Sequence, residues 1–195
     1  MMKLLIASNN RGKIREMREL LSGHFDEILS MSEAGLDLEV EEDGETFSEN
    51  AAKKAREVCA ASGMAALADD SGLCVEALGG APGVYSARFS GVHGDDEANI
   101  RVLLEKMQGK ENRRCKFVSA VVLRYPDGRE LFAEGEVRGL LLDRKVGENG
   151  FGYDPIFYSE ELGKSFGEAS AEEKNGISHR ARALENLLRK LEGRE

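Results

Sequence analysis

Two adjacent aspartates, Asp69 and Asp70, follow an apolar run in the stretch ADDSGL, residues 68–73. Neighbouring carboxylates repel each other where they are partly buried, and a divalent cation such as Mg²⁺ offsets that repulsion with oxygen ligands that suit it. An ordinary Asp-rich turn is the alternative. Because strand ends are where ligands collect in α/β sheets, the position favours a metal site.

The stretch SNNRGK, residues 8–13, lies between an apolar run and a helical pattern. A turn in this setting presents backbone N–H groups at the positive end of a helix, where an anion is favoured. Gly12 allows a close approach, and Lys13 adds a cation. The stretch therefore suits a phosphate, although it is not a Walker A motif and a capped turn with a solvated lysine is the alternative.

Three other stretches carry groups that suit a ligand. The acidic run EVEEDGE, residues 39–45, offers a third carboxylate, although such runs are usually solvated surfaces. Phe151 is suited to stacking on a base and Asp154 to accepting hydrogen bonds from ring N–H groups, with packing in a small core as the alternative. His179 and Arg180 place two donors at the start of a helix, where a simple cap is the alternative.

The elements that must position these groups alternate between strands and helices. Residues 2–7 are predicted as a buried strand and residues 14–21 as a helix, so SNNRGK joins the two. Strands are predicted over residues 64–68 and 73–77, on either side of the aspartates. Helix starts are predicted at the caps Thr46 (with Glu49), Ser170 (with Glu173) and Ser178.

The rest of the chain adds a helix near residues 100–107 and a hairpin of residues 115–125 and 130–139 around the turn PDG. This alternation predicts an α/β fold, with a mixed central β-sheet and helices on both faces. We expect one domain over residues 1–195, shaped as two lobes with the active site in the cleft between them.

Composition limits the partners. The formal net charge of -9 disfavours nucleic acid, while a small phosphate ligand remains compatible with local cations or a metal. Apolar runs fall short of a bilayer span, so we expect no membrane and a cytoplasmic protein. The three cysteines lack metal-site spacing and are expected to be buried thiols: Cys59, Cys74 and Cys115.

Taken in order and register, six motifs resemble those of the inosine/xanthosine triphosphate pyrophosphatases, the nucleotide hydrolases of the RdgB and ITPase type. The resemblance runs nearly end to end, with SNN standing where many relatives have TGN. The motifs are SNNRGK, EEDGETFSENAAKKA, ADDSGL, LGGAPGVYSARF, GFGYDPIF and EEKNGISHR.

The resemblance implies a role for each matching residue. Asp70 would be the general base and a Mg²⁺ ligand, with Glu41 and Asp69 as further metal ligands and Ser71 touching substrate. The run Glu41-Glu42-Asp43 leaves open which of these neighbouring acids binds the metal. The triphosphate would be bound by Ser8, Asn9, Asn10, Arg11, Gly12 and Lys13. The base would be held by Phe151, Gly152, Tyr153, Asp154, Lys174, His179 and Arg180.

The implied activity is the Mg²⁺-dependent hydrolysis of ITP, dITP and XTP to the monophosphate and pyrophosphate, by a homodimer. Donors of His179 or Arg180 would face the O6 and N7 acceptors of the base, which adenine does not offer in the same pattern. Two other functions are compatible with the motifs: a Maf-type pyrophosphatase with another base preference, and a nucleotide sensor without catalysis.

Overall fold

The structure is a computed structural model that describes residues 3–193. Its strands are β1 (Lys3–Ile6), β2 (Glu27–Ser30), β3 (Ala65–Val75), β4 (Arg114–Arg124), β5 (Glu130–Leu141), β6 (Phe157–Ser159) and β7 (Lys164–Ser165). Its helices are α1 (Arg11–Leu20), α2 (Phe47–Ser62), α3 (Asp96–Lys106), α4 (Ala171–Asn175) and α5 (His179–Leu191).

All seven strands belong to one sheet in the order β2-β1-β3-β4-β5-β6-β7. β1 is parallel to β2 and β3, whereas β6 is antiparallel to β5 and β7. The predicted mixed sheet is therefore confirmed. The short edge strand β2 was not predicted, and Met2 of the predicted first strand lies outside the described residues.

The chain divides into two compact units. The first unit comprises the chain up to Asp70, Ser119–Gly135 and the part from Arg180 onward. Side chains alternate along β1, so Leu4 and Ile6 pack with α1 and α5, whereas Leu5 packs with α2. Helices thus cover both faces of the sheet in this unit, as predicted.

The second unit comprises Ser71–Val118 and Glu136–His179. Its core joins the apolar side of α3 to alternate residues of β3, β4 and β5. Phe117 lies at the centre of an aromatic cluster, with ring centroids 4.6 Å from Phe157 and 6.0 Å from Phe166. The predicted cleft between two lobes stays a prediction.

The stretch around Asp69 and Asp70 differs from its prediction. A single strand, β3, runs from Ala65 to Val75, so the two aspartates lie in the middle of a strand and not in a turn after one. Burial on both faces of this strand outweighs the turn preference of Asp, Ser and Gly.

Among residues 3–193, no helix is both long and apolar enough to cross a membrane.

Candidate active site

Asp69 lies on the face of β3 that packs against α1 and α5, and donors surround its carboxylate. Asp69 Oδ2 lies 2.8 Å from Lys13 Nζ and 3.3 Å from Arg180 Nη2. The Ser119 hydroxyl donates to Asp69 Oδ1. Because both carboxylate oxygens accept from protein donors, the contacts do not favour the predicted role of Asp69 as a metal ligand.

Electrostatics agree with these contacts. Burial opposes ionisation of Asp69, but the charges of Arg180 and Lys13 outweigh burial and hold the pKa of this carboxyl well below its usual range. Asp69 is therefore a buried carboxylate whose negative charge is balanced by Arg180 and Lys13.

Arg180 is predicted from the sequence to bind the base, but its guanidinium is buried in the first unit. The side chain is 1% exposed and forms ion pairs with Glu16 of α1 and with Asp69. A buried cation is stable only with such anions and hydrogen bonds. The contacts therefore favour a role for Arg180 in holding Asp69, and not in reading a base.

Asp70 points to the opposite face of β3, toward α2. Asn50 Nδ2 donates to Asp70 Oδ2 at 3.0 Å, and the Asp70 side chain shares a hydrogen bond with Glu42. Burial raises the pKa of Asp70 to about 6, with Glu42 adding to the rise and Lys54 and Lys13 opposing it. A carboxyl with a pKa near neutrality is suited to accepting a proton from water.

The acid that contacts Asp70 is Glu42, whereas the prediction named Glu41. Val40 packs into the core, and residues two apart in an extended segment point to the same side, so Glu42 points inward and Glu41 outward. Glu41 is exposed, and its charge acts on Lys53. Glu42 Oε1 lies 3.4 Å from Lys54 Nζ. Among the neighbouring acids that the prediction left open, the contacts therefore favour Glu42 as the partner of Asp70.

Two buried polar residues of α2 are not among the site residues predicted from the sequence: Asn50 and Lys54. Lys54 Nζ donates to the main-chain oxygen of Asp69 at 2.7 Å. Burial, and then the charge of Lys13, lower the pKa of Lys54. A signal was present in the sequence, because two polar residues four apart flank the alanine stripe of this helix.

The predicted phosphate-binding turn is formed as expected from the sequence. Asn10 caps α1, with its Oδ1 accepting from Lys13 N at 3.1 Å, and Ser8 Oγ accepts from Asn10 N at 3.1 Å. Asn9 Nδ2 donates to Leu38 O at 3.4 Å. The first N–H groups of a helix have no partner within it, so Arg11 and Gly12 present theirs at this end of α1.

A second cluster lies in the second unit. Asp154 Oδ2 accepts from Lys174 Nζ at 2.7 Å and from Phe151 N at 3.0 Å. Lys174 Nζ also lies 4.7 Å from the centroid of the Phe151 ring. Gly150 has a φ of +74°, and a Cβ there would meet Asp154 Oδ2 at 2.1 Å, so only glycine fits. Phe151, Asp154 and Lys174 are thus brought together as one group.

The other predicted base-binding residues of this unit have distinct surroundings. His179 is stacked on Phe117, with ring centroids 4.7 Å apart and planes at 15°. Gly152 N donates to Asp96 Oδ2 at 2.8 Å. Tyr153 is buried in the core and donates its hydroxyl to Ser86 O at 2.7 Å, which favours a structural role for its side chain.

The pair of Glu42 and Asp70 fits a divalent cation of the Mg²⁺ type. Both supply hard oxygen donors, and two carboxyls close enough to share a hydrogen bond repel each other when both are ionised. Within the described part of the chain, no group of three or more His, Cys, Asp or Glu side chains could hold a metal ion. Mg²⁺ does not require such a group, because one or two carboxylates with phosphate oxygens and water usually suffice.

Comparisons with known proteins cover nearly the whole chain. The sequence model of the Ham1 family matches residues 4–190. A dITP/XTP pyrophosphatase of Clostridium perfringens is 45% identical, with 99% of this chain and 98% of that protein aligned. One from Thermus thermophilus is 49% identical, with 96% and 90% aligned.

Solved structures give the same result for the fold. The Ham1 protein of Staphylococcus aureus superposes with a TM-score of 0.87 at 44% identity, covering 99% of this chain and 100% of that one. A HAM1 protein from Coxiella burnetii gives a TM-score of 0.88 at 37% identity, with the same coverage.

Proposed function

The chain belongs to the Ham1 family, and we propose on that premise that Asp70 is the general base of a nucleotide hydrolase. The chain is a nucleoside triphosphate pyrophosphatase that hydrolyses non-standard purine nucleotides, as the names of relatives with 45% and 49% identity indicate. The observation that carries the mechanism is the raised pKa of Asp70, about 6, beside a second acid and two lysines.

We assign the triphosphate to the residues around α1 and β3. Lys13 and the N–H groups at the start of α1 would bind phosphate oxygens, since both favour an anion. Lys54 would add a positive charge from the side of α2. Positioning and charge neutralisation are the main requirements of phosphoryl transfer, and these groups supply both.

Asp70 would take the proton of the attacking water. The water oxygen then bonds to the α-phosphorus as the bond from that phosphorus to the bridging oxygen breaks. The products are the nucleoside monophosphate and pyrophosphate.

Glu42 and Asp70 would hold Mg²⁺. When bound there, this ion neutralises phosphate charge and makes a bound water more acidic. The fit rests on the two hard carboxyl donors and their mutual repulsion.

We assign the base to the second unit, through Phe151, Lys174 and His179. The Phe151 ring offers a stacking surface, and the amine and imidazole offer donors that suit a carbonyl at C6. Adenine carries an amino group at that position, so donors would face donors. This arrangement supports selection of hypoxanthine and xanthine over adenine.

The decisive experiment identifies the products of ITP hydrolysis with Mg²⁺. Attack at the α-phosphorus gives IMP and pyrophosphate, whereas a γ-phosphatase gives IDP and orthophosphate. In ¹⁸O water the label should enter IMP and not pyrophosphate. Label confined to pyrophosphate would place the attack at the β-phosphorus and reject the mechanism. ITP binding without turnover would favour a nucleotide sensor.

We also propose a homodimer that acts in the cytoplasm and binds no nucleic acid. The family resemblance supports the dimer, and the net charge of -9 supports the lack of nucleic-acid binding. Sedimentation equilibrium of the purified protein tests the dimer directly.

A further inference from the structure

Asn50 is a fully buried amide on α2 to which the proposed chemistry gives no part. Its side chain is 0% exposed, and both ends of the amide are engaged. Asn50 Oδ1 accepts from Gly44 N at 2.8 Å, and Asn50 Nδ2 donates to Asp70 Oδ2 at 3.0 Å. One side chain therefore joins the acidic segment EVEEDGE, residues 39–45, to the strand that carries Asp70.

The orientation of the amide is fixed by these partners. Gly44 N is a donor, so only the Asn50 oxygen can face it, and the NH₂ group must then face Asp70. Gly44 lies so close that an added Cβ would meet Asn50 Oδ1 at 2.7 Å. A residue with a Cβ at position 44 would therefore crowd the Asn50 side chain.

Glu42 reaches Asp70 from a segment without regular secondary structure. Gly44, two residues beyond Glu42, is the point at which Asn50 holds that segment. An irregular segment must lose conformational freedom before Glu42 can stay beside Asp70. A hydrogen bond close to Glu42 reduces the further loss on binding a ligand between the two acids.

We propose that Asn50 is a positioning residue that holds Glu42 and Asp70 at the separation a divalent cation requires. It touches neither substrate nor metal, and acts through the two carboxyls. The inference rests on the proposed function, because it takes Glu42 and Asp70 as the metal pair. Asn50 was not among the site residues expected from the sequence.

A buried asparagine can also serve stability alone, and the chain provides a matched control. Asn99 of α3 is 2% exposed, accepts from Ser90 N at 2.8 Å and donates to Ala87 O at 3.1 Å. It joins two backbone segments of the second unit, as Asn50 joins a backbone segment to a side chain in the first. Truncation of either residue should lower the melting temperature, because each leaves buried backbone groups unsatisfied.

The test measures the binding of Mn²⁺ alone to the nucleotide-free protein, with EPR as the method of detection. Wild type, Asn50→Ala, Asn99→Ala and Asp70→Asn are compared, with circular dichroism to establish that each is folded. We expect Asn50→Ala to raise the Kd for Mn²⁺ by about tenfold, whereas Asn99→Ala stays within twofold of wild type. Higher Mg²⁺ should restore much of the turnover of Asn50→Ala and none of that of Asp70→Asn.

A second variant keeps the test valid if Asn50→Ala does not fold. Gly44→Ala retains the amide but crowds it, so we expect the same tenfold loss of Mn²⁺ affinity. The double variant should lose little more than the worse single variant, because both changes break one contact. Mn²⁺ affinity within twofold of wild type in the folded Asn50 and Gly44 variants would overturn the inference and leave the metal pair intact. Wild type and Asp70→Asn binding Mn²⁺ equally well would overturn the metal pair itself, and the inference with it.

Discussion

Asp69 and Asp70 are neighbours in the chain, yet their carboxylates lie on opposite faces of β3 and meet different helices. Asp69 pairs with Lys13 of α1 and Arg180 of α5. Asp70 meets Asn50 of α2 and the acidic segment. Successive side chains of a strand point to opposite faces. Asp69 is therefore an ion-paired carboxylate on one face, and Asp70 is a carboxyl with a raised pKa on the other.

The first prediction concerns turnover. Asp70→Asn is expected to lower kcat for ITP by about 10²- to 10⁴-fold, the usual cost of removing a general base, with nucleotide binding retained. Steady-state kinetics at saturating Mg²⁺ and calorimetric titration of the nucleotide measure the two quantities. Near-normal turnover of this variant would reject the assignment.

Asp69→Asn serves as the matched variant one residue away. It removes the anion that pairs with Lys13 and Arg180, so it should cost stability on the order of 3–5 kcal/mol, as removal of one partner of a buried ion pair does. Urea unfolding of the two variants should therefore separate them clearly. Equal destabilisation by Asp69→Asn and Asp70→Asn would contradict the ion-paired state assigned to Asp69 alone.

The second prediction concerns pH and stability without metal. The pKa of Asp70 is about 6 in the fold, above the 3.8 of an unperturbed aspartate, so the folded protein holds this proton more tightly than the unfolded chain. As pH rises from about 4 to 6, the contribution of Asp70 to stability falls. In EDTA, Asp70→Asn should thus be more stable than wild type above pH 6, by roughly 2–3 kcal/mol at 1.36 kcal/mol per pKa unit.

Thermal unfolding in EDTA at pH 4 and pH 8 checks this sign. The stabilisation by Asp70→Asn should be present at pH 8 and much smaller at pH 4, where the wild-type carboxyl is protonated in the fold and about half protonated in the unfolded chain. Added Mg²⁺ should stabilise wild type more than the variant, because it binds the folded carboxylates. A variant that is less stable than wild type at pH 8 in EDTA would contradict the raised pKa.

Local signals in the sequence predicted much of the fold. The capping box of Thr46 and Glu49 starts α2, and that of Ser170 and Glu173 starts α4, as expected. Asn10, which lies within the predicted motif SNNRGK, caps the start of α1. Such signals involve residues within one turn of each other, so they are visible without knowledge of the fold.

The ion pairs between buried charged side chains could not be predicted from such local signals. Glu16 and Arg180 are 164 residues apart, and Asp69 and Arg180 are 111 apart, so only the fold brings them together. The family resemblance implied a base-binding role for Arg180, and its position at a helix start gave no sign of the two distant carboxylates. Local turn preference likewise concealed that β3 continues through Asp70.

The third prediction concerns the phosphate cation. Lys13→Ala should weaken binding of ITP, XTP and ATP by similar factors, because Lys13 is assigned to the triphosphate that they share. Values of KM and of Kd for each nucleotide measure the effect. Arg15→Ala, a change elsewhere on α1, is the control and should leave these values nearly unchanged. Base-dependent factors for Lys13→Ala would reject its assignment to phosphate.

The fourth prediction concerns Arg180. Arg180→Ala leaves Glu16 and Asp69 buried without their shared cation, so it should lower the free energy of unfolding by about 3–5 kcal/mol. Arg189→Ala on the same helix removes an exposed ion pair with Glu185, and should cost about 1 kcal/mol or less. Urea unfolding compares the two.

Kinetics add a second test of Arg180. If the guanidinium acts by holding Asp69, activity on ITP and ATP should fall by the same factor in Arg180→Lys, the conservative variant. A loss confined to ITP would return Arg180 to the base-reading role that the sequence predicted.

The last prediction concerns the base. His179→Ala should lower kcat/KM for ITP more than for ATP, because a donor that faces O6 helps only a base that carries a carbonyl there. The ratio of the two kcat/KM values should therefore narrow by about tenfold, as expected for one hydrogen bond worth roughly 1–1.5 kcal/mol. Lys13→Ala is the internal control, since it should leave this ratio unchanged. Equal losses on both nucleotides in His179→Ala would mean that the imidazole serves only the stack on Phe117, and selection of the base would then rest on Phe151 and Lys174.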